Sequence, residues 1–216
     1  MIEVKNITKT YGNIEVLKDA SLEVKDGDFV SIVGPSGSGK TTLLNVVAGL
    51  LTPTEGEVIV DGVSLYKLSL RERTAFRREK FGFIFQTFNL ISYLTAIENV
   101  EIPLYLAGAK SVDQKLVAKE LLDRVGLKER LSHLPSELSI GEQQRVAIAR
   151  ALANNASVIL ADEPTGNLDT KTGEEFMTEI KRLNREGVTV LLVTHNAEMA
   201  NFANRQIKII DGRLVS

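Results

Sequence analysis

Cysteine and tryptophan are absent from the 216 residues, and only two histidines are present. Without cysteine the chain has neither a disulfide framework nor a thiolate zinc site, which fits a reducing compartment such as the cytosol. No stretch approaches the roughly 20 apolar residues of a membrane-spanning helix, and the first residues lack the apolar core of a secretory signal. We therefore expect a chain that is not exported and that reaches a membrane only through a partner.

The chain also has no large excess of positive or negative charge. The chain has 26 Lys and Arg against 28 Asp and Glu, for a net charge of −2, and the basic residues are dispersed among acids. Nucleic-acid binding depends on clustered basic side chains, so no nucleic acid is expected as a partner. Hydrophobic residues make up 44% and charged residues 25%, as in an ordinary globular protein. Such a chain can bury one full core.

Hydrophobic periodicity and turn residues predict an α/β chain. The predicted strands are residues 2–11, 16–24, 29–33, 56–60, 81–85, 157–161, 188–194, 206–210 and 213–215. The predicted helices are 40–50, 69–78, 141–153 and 170–185, with helical periodicity throughout 95–127 and one apolar face containing Leu116, Val117, Leu121, Leu122 and Val125. Strands that alternate with helices indicate a mostly parallel sheet.

The order of elements predicts one domain over residues 1–216, with no repeats or linkers. It would consist of a β-rich and core lobe, about 1–86 and 157–216, and an inserted helical lobe, about 87–156. The opening strands form an antiparallel β subdomain in this interpretation. The last two strands form a hairpin.

A glycine-rich loop stands between a predicted strand and a predicted helix. The pattern G-x-x-x-x-G-K-[ST] is matched by Gly34, Pro35, Ser36, Gly37, Ser38, Gly39, Lys40 and Thr41. Backbone N–H groups of such a loop surround a phosphate, and the helix N-terminus adds partial positive charge. Lys40 is expected to reach the β- and γ-phosphates, Thr41 to bind Mg²⁺, and Thr42 to lie among the nucleotide contacts. A chance Gly/Ser-rich turn is the alternative, but strand, spacing and helix together favour purine triphosphate binding by a P-loop NTPase.

Two carboxylates follow the apolar run 158–161. In open α/β sheets ligands bind at the carboxyl ends of strands, so Asp162 is expected to hold hydrated Mg²⁺ and Glu163 to act as general base or to position the attacking water. Because successive strand side chains face opposite sides, the two carboxylates need not compete for one role. A solvated loop start is the alternative for an isolated Asp-Glu pair.

Three further residues are candidates for the same site. His195 follows the apolar strand 188–194 and can donate to the γ-phosphate, or it can simply cap the next helix. Gln86 ends the strand 81–85 and can contact Mg²⁺ or water without adding charge. Tyr11 precedes a Gly-Asn turn and can stack on adenine, although taken alone the pattern fits an ordinary aromatic near a turn better.

A second motif distinguishes one family among the P-loop NTPases. The segment Leu138-Ser139-Ile140-Gly141-Glu142-Gln143 resembles the signature of ABC ATPases, usually Leu-Ser-Gly-Gly-Gln, and residues 146–152 look like the helix that follows it. The order of Tyr11, the phosphate loop, Gln86, the signature, Asp162-Glu163, Asp169 and His195 is similar to that family from end to end. The resemblance implies an ATP-hydrolysing, energy-coupling subunit of an ABC-type transporter that uses ATP and Mg²⁺.

The resemblance also implies how the signature works. Ser139 followed by small residues at a helix start offers a hydroxyl and N–H groups to an anion. In the family, this surface docks on ATP held by the opposite subunit, so Ser139, Gly141 and Glu142 are expected to bind nucleotide in a head-to-tail homodimer, with Asp169 near the seam. This chain departs from the pattern at Ile140, where a glycine is usual, and at Glu142, where glutamine is usual. A simple N-cap role for Ser139 is compatible with phosphate binding.

The remaining expectations concern partners. Residues 85–90, 95–100 and 162–169 look like the branch that contains lipoprotein-releasing, macrolide- and peptide-exporting and cell-division ATPase subunits. Such a subunit lies at the inner face of the cell membrane and binds an integral-membrane permease subunit through its helical lobe. The alternatives are a soluble ABC ATPase acting on DNA or the ribosome, and a small-molecule kinase. A soluble ABC ATPase of that kind usually has a coiled-coil insertion or two ATPase units in one chain. A small-molecule kinase would not explain the signature segment.

Overall fold

Within residues 1–215, which the computed structural model of the chain describes, ten strands form two sheets. A four-stranded antiparallel sheet has the order β2-β1-β4-β5, and a six-stranded sheet has the order β10-β9-β3-β8-β7-β6. The strands are β1 (Ile2–Tyr11), β2 (Ile14–Val24), β3 (Phe29–Val33), β4 (Glu55–Val60), β5 (Val63–Ser64), β6 (Phe81–Phe85), β7 (Val158–Asp162), β8 (Thr189–Thr194), β9 (Arg205–Ile210) and β10 (Arg213–Val215).

Strands β9, β3, β8, β7 and β6 run parallel, and β10 is the antiparallel edge. All of β8 and four of the five residues of β7 are buried, as expected of a parallel sheet covered on both faces. The register pairs Val33 with Thr194 and Phe85 with Asp162. The residues that follow β3, β6, β7 and β8 therefore leave the sheet at one edge.

The helices begin at side-chain caps more often than at glycine. Capping boxes start α2, α3 and α5, and Asp169 and Asn196 cap α6 and α7. The helices are α1 (Lys40–Val47), α2 (Leu70–Lys80), α3 (Ala96–Leu106), α4 (Ser111–Arg124), α5 (Ile140–Leu152), α6 (Thr170–Arg185) and α7 (Ala197–Ala200). No helix among the described residues is long and apolar enough to span a bilayer.

Two apolar clusters lie on the two faces of the parallel sheet. One packs α3, α4, α5 and α6 against one face, around Ile148 and Ile159. The other packs the antiparallel sheet and α1 against the opposite face, around Ile32 and Leu43. The predicted fold class is confirmed, because a mostly parallel core sheet, an antiparallel N-terminal sheet and helical segments are all present.

Several local predictions were wrong. The helix after the phosphate loop ends at Val47 rather than residue 50. The stretch 95–127, for which only helical periodicity was predicted, contains two helices with Gly108 between them. Leu116 is 57% exposed, although Leu122 and Val125 of the same predicted face are buried. All three residues belong to α4 or its C-cap, and at about 100° per residue Leu116 lies about half a turn around the helix axis from Val125, so the predicted residues do not share one face. The short elements β5 and α7 were not predicted.

Candidate functional site

The loop between β3 and α1 has the backbone that only glycine adopts readily. Gly37 has φ 79° and Gly39 has φ 102°, both left-handed. Gly39 supplies no side-chain cap to α1, and the first turn of that helix has no acidic residue. The first N–H groups of a helix have no intrahelical partner, so this end of α1 offers donors and partial positive charge to an anion.

Neighbouring strands press closely on the same loop. A Cβ at Gly34 would lie 2.3 Å from the carbonyl oxygen of Ile209, and a Cβ at Gly39 would lie 2.9 Å from that of Val16. The N–H of Gly212 donates to the Ser38 carbonyl at 3.2 Å. The loop is thus clamped between β2 and the turn of the β9–β10 hairpin, so its N–H groups keep a fixed direction.

Lys40 lies folded under the loop. Its ammonium donates to the carbonyls of Gly34 and Pro35 at 2.9 and 3.0 Å, and it lies 3.6 Å from a carboxylate oxygen of Glu163. The Lys40 side chain is only 7% exposed. The cation is therefore held where the loop and the end of β7 meet.

Thr41 and Asp162 bring two hard oxygens together at the start of α1. The Thr41 hydroxyl donates to Asp162 Oδ1 at 2.9 Å. Burial raises the pKa of Asp162 and the nearby Glu163 carboxylate raises it further, while the Thr41 hydrogen bond and Lys40 oppose the rise. The Asp162 charge is thus incompletely compensated by the protein, and a cation placed here would stabilise it.

Glu163 lies beyond the end of β7 in a left-handed conformation, with φ 45°. Its Oε2 accepts the backbone N–H of His195 at 3.1 Å and lies 2.9 Å from His195 Nδ1. The strand-alternation argument was therefore wrong in its geometry. Since the strand stops at Asp162, both carboxylates turn toward the phosphate loop, and their different partners separate their roles.

Gln86 is exposed and contacts the segment that follows Glu163 rather than the carboxylates. Its amide nitrogen donates to Asn167 Oδ1 at 3.5 Å, and the Asn167 amide donates to the Gln86 carbonyl at 3.3 Å. A Cβ at Gly166 would lie 2.7 Å from the Gln86 amide nitrogen. Tyr11 is 49% exposed, with Lys9 Nζ 5.0 Å from the centre of its ring.

The signature segment forms the start of α5. The Ser139 hydroxyl accepts the N–H of Glu142 at 3.3 Å, and Glu142 accepts the Ser139 N–H at 2.8 Å and Arg130 Nε at 2.9 Å. Within residues 1–215 these groups make no hydrogen bond to the phosphate loop. Gly141 faces α6, where a Cβ would lie 3.7 Å from Thr172. The structure thus places Ser139, Gly141 and Glu142 apart from the other predicted site residues.

A cavity of about 430 Å³ opens between the edge strand β6 and helices α2, α3 and α5. Aromatic rings form much of its floor, and the charged residues that line it are all arginines: Arg77, Arg78 and Arg150. Asn89, three residues after Gln86, also lines it. This cavity therefore lies beside the segment that leads from the candidate site into the helical region.

Sequence reasoning missed three residues that organise these segments. Arg150 is partly buried and donates to the carbonyls of Phe88 and Asn89, which have left-handed backbones. Asn167 pairs with Gln86, and Arg130 pairs with Glu142. Asn167 lies in the quoted motif, but nothing local in the sequence connects Arg130 with residue 142 or Arg150 with residue 88.

Comparison with known proteins gives concordant matches. The family model described as ABC transporter matches residues 17–166. The ATP-binding protein MJ0796 of Methanocaldococcus jannaschii, an uncharacterised ABC transporter protein by name, is 52% identical over 99% of this chain and 95% of its own. The lipoprotein-releasing system ATP-binding protein LolD of Bacteroides fragilis is 46% identical over 100% of both chains.

Two further matches extend the comparison. The macrolide export ATP-binding/permease protein MacB of Wolinella succinogenes is 48% identical over 99% of this chain, which spans 34% of MacB. A dimeric structure of the cassette MJ0796 in a post-hydrolysis state, bound to ADP and Pi, superimposes with a TM-score of 0.90 at 48% identity, over 100% of this chain and 97% of that one.

Proposed function

Because this chain is an ATP-binding, ATP-hydrolysing subunit of the ABC transporter family, we propose which of its residues bind and hydrolyse ATP and which partners it binds. The observation that carries the proposal is the junction of phosphate loop and β7, where Lys40, Thr41, Asp162 and Glu163 lie within one set of contacts. The junction places a buried cation, a hydroxyl and two carboxylates beside the donor-rich end of α1.

In this proposal the loop Gly34–Thr42 binds the β- and γ-phosphates of ATP, with Lys40 as its one buried cation. Tyr11 lies at the exposed end of β1 as the stacking surface for adenine. Glu163 accepts a proton from the attacking water or orients that water. His195, which holds Glu163 through its backbone N–H, donates to the γ-phosphate and fixes the carboxylate's direction.

The residues also fit Mg²⁺. Thr41 and Asp162 present oxygen ligands 2.9 Å apart, and Asp162 needs a counter-charge. Among the described residues no group of three or more His, Asp or Glu could hold a metal alone, which suits an ion that arrives with ATP and keeps several waters. When bound, Mg²⁺ would neutralise phosphate charge. Gln86 would contact the ion or its water after its hydrogen bond to Asn167 breaks.

The proposed partners are a second copy of this chain and an integral-membrane permease. At the start of α5, Ser139 is exposed and Gly141 and Glu142 are partly exposed, and within residues 1–215 none of them hydrogen-bonds to the chain's own phosphate loop, which is compatible with a phosphate site for the opposite copy. The dimeric MJ0796 structure supports this arrangement. Asp169, which caps α6 beside Gly141, would lie near the seam.

The permease would dock in the cavity between β6, α2, α3 and α5, because its aromatic floor and arginine rim offer an apolar and cationic surface. The names of LolD and MacB support a membrane partner and a peripheral position at the inner face of the membrane. The domain division, with residues 87–156 as the helical lobe that receives the partner, belongs to the same proposal.

The test combines two substitutions. Glu163→Gln keeps the side-chain size but removes the carboxylate, so ATP should still bind while hydrolysis falls by roughly a hundredfold, and an ATP-bound dimer should accumulate in gel filtration. Adding Ser139→Arg should abolish that dimer, because the new side chain blocks the opposite γ-phosphate. Glu120→Gln, at an exposed position of α4, is the matched control. A double variant that still dimerises with ATP would contradict the role of the signature between copies.

A further inference from the structure

The segment that follows Gln86 has an unusual backbone. Phe88 and Asn89 both lie in the left-handed region, with φ 56° and 47°. Asparagine tolerates this conformation, but it is strained for a bulky residue such as phenylalanine. Phe88 is also buried, at 7% exposure, so the strained residue is enclosed by the rest of the molecule. A strained backbone of this kind persists only where surrounding contacts stabilise it.

One arginine of α5 binds both of these residues. Arg150 Nη1 donates to the Asn89 carbonyl at 2.6 Å, and Arg150 Nη2 donates to the Phe88 carbonyl. Within residues 1–215 these two carbonyls accept no other hydrogen bond. A planar guanidinium with several N–H donors is suited to binding two neighbouring oxygens at once. Arg150 is therefore the contact that holds this turn against α5.

The turn limits where Gln86 can lie. Phe85, the last residue of β6, pairs with Asp162 in the sheet, and its carbonyl accepts the N–H of Phe88 at 3.0 Å. Only Gln86 and Thr87 lie between Phe85 and Phe88, and both are exposed. A connection of two residues with both ends fixed leaves its backbone little freedom. The position of Gln86 therefore depends on the turn.

We propose that Arg150 is a positioning residue for Gln86. By holding the turn at Phe88 and Asn89, Arg150 keeps Gln86 at the end of β6, where its amide can reach the ion or water beside Asp162. The inference rests on the proposed function, in which Gln86 contacts Mg²⁺ or its water. The same contact joins the signature helix α5 to the residue that would contact the ion.

Hydrogen exchange tests whether Arg150 holds the turn. The N–H groups of Phe88 and Asn89 donate to the carbonyls of Phe85 and Thr87 at 3.0 and 2.6 Å, so they are protected only while the turn is formed. In the isolated subunit without nucleotide, Arg150→Gln should make these two amides exchange roughly tenfold faster, as expected for the loss of charge-assisted hydrogen bonds. The increase should exceed that in β7, which reports global unfolding. Unchanged exchange at both amides would overturn the inference.

A double-mutant cycle tests whether Arg150 acts through Gln86. Arg150→Gln and Gln86→Ala should each reduce kcat for ATP hydrolysis by roughly tenfold, because rate falls steeply when a group at the reacting centre is displaced. The double variant should stay within about twofold of Gln86→Ala alone, because both changes remove the same contact. If the two losses instead multiply, Arg150 supports the fold or a different step, and the inference is wrong. Arg185→Gln, at an exposed position of α6, should leave kcat within about twofold of the parent.

A matched pair of substitutions at Asn89 tests the turn with Arg150 in place. Asn89 is exposed, and both Asn89→Val and Asn89→Gly remove its side-chain hydrogen bond with Thr87. Valine opposes a left-handed backbone, whereas glycine adopts it readily. The kcat of Asn89→Val should therefore be lower than that of Asn89→Gly by roughly fivefold or more. Equal values would contradict the dependence of Gln86 on the turn, even if Arg150→Gln failed to fold.

The outcomes separate this inference from the proposed function. All measurements use the isolated subunit, so altered permease binding at the cavity that Arg150 lines cannot account for them. If Gln86→Ala keeps the kcat of the parent, the proposed role of Gln86 is overturned and this inference with it. If Gln86→Ala reduces kcat while Arg150→Gln does not, the inference alone is overturned.

Discussion

At the scale of single residues, the ammonium of Lys40 has three oxygen neighbours, two carbonyls of the phosphate loop and one oxygen of Glu163. These contacts keep the ammonium beneath the loop and close to the Glu163 carboxylate. A phosphate entering the loop would meet a positive charge whose position is already set. No other side chain of the loop can replace it.

Lys40→Ala should therefore reduce both ATP affinity and hydrolysis by at least about a hundredfold, because preorganised charge at a transferring phosphoryl group is worth several kcal/mol. Fluorescent-nucleotide titration and phosphate release would measure the two effects. Lys18→Ala on β2 is the control. Equal turnover by Lys40→Ala and the parent would remove the assignment of the loop.

Asp162 leads to a prediction about stability and pH. Its folded-state pKa is raised, chiefly by burial, so its ionised form opposes folding. Protonated Asp162 makes its full contribution to the free energy of unfolding at pH values below its pKa in the unfolded chain. That contribution is lost as pH rises through its pKa in the folded protein. At neutral pH Asp162→Asn should therefore raise the unfolding temperature without nucleotide, and it should flatten the decline of stability as pH rises through the acid range.

The same change should reduce Mg²⁺-dependent hydrolysis. Calorimetric unfolding between about pH 4 and 7, with phosphate release at neutral pH, would check both outcomes. Asp113→Asn, at an exposed position of α4, is the control. An Asp162→Asn protein that is less stable at neutral pH would show that the Thr41 hydrogen bond outweighs burial.

At the scale of secondary-structure elements, the sequence predicted the strands well because apolar runs and glycine turns mark their ends. It predicted the phosphate loop and the residues after β6, β7 and β8 because parallel strands end at one edge. The predicted apolar face in α4 was drawn too wide, because Leu116 lies about half a turn around the helix axis from Val125 and is exposed. A local pattern could not foresee that Arg150, from α5, holds the left-handed turn at Phe88.

The contact of β6 with α5 gives an element-scale prediction. A Cβ at Gly82 would lie 2.2 Å from the carbonyl oxygen of Ala151, so any side chain must push the helix from the sheet. Gly82→Ala should lower the free energy of unfolding by about 2 to 3 kcal/mol, as overpacking does. Urea unfolding would measure it.

Gly173 in α6 is the matched control for that substitution. A Cβ at Gly173 would lie 3.6 to 3.7 Å from its nearest side-chain atoms, which is ordinary contact, so Gly173→Ala should be neutral or stabilise the helix by up to about 1 kcal/mol. Equal effects at residues 82 and 173 would show that α5 can move away from β6 without penalty.

At the scale of the whole molecule, no hydrogen bond joins the phosphate loop to the signature within residues 1–215. In the proposed arrangement a complete site needs two copies, and the seam would lack its bridging phosphates until ATP binds. We expect the wild-type protein to sediment as a monomer without nucleotide and to dimerise with ATP, since ligands that bind only the closed form stabilise it by mass action. A dimer of constant size with and without ATP would contradict this linkage.

The clamp on the phosphate loop has a consequence for synthesis. Gly34 packs on Ile209 and the Ser38 carbonyl accepts the N–H of Gly212, so residues made early are shaped by residues made late. A nascent chain whose β9–β10 hairpin is still inside the ribosome contains every residue of the phosphate loop, but not the strand and turn that pack against the loop. Chains arrested before residue 205 should gain no protection from protease on addition of ATP, whereas chains extended past residue 216 by a linker that clears the tunnel should gain it.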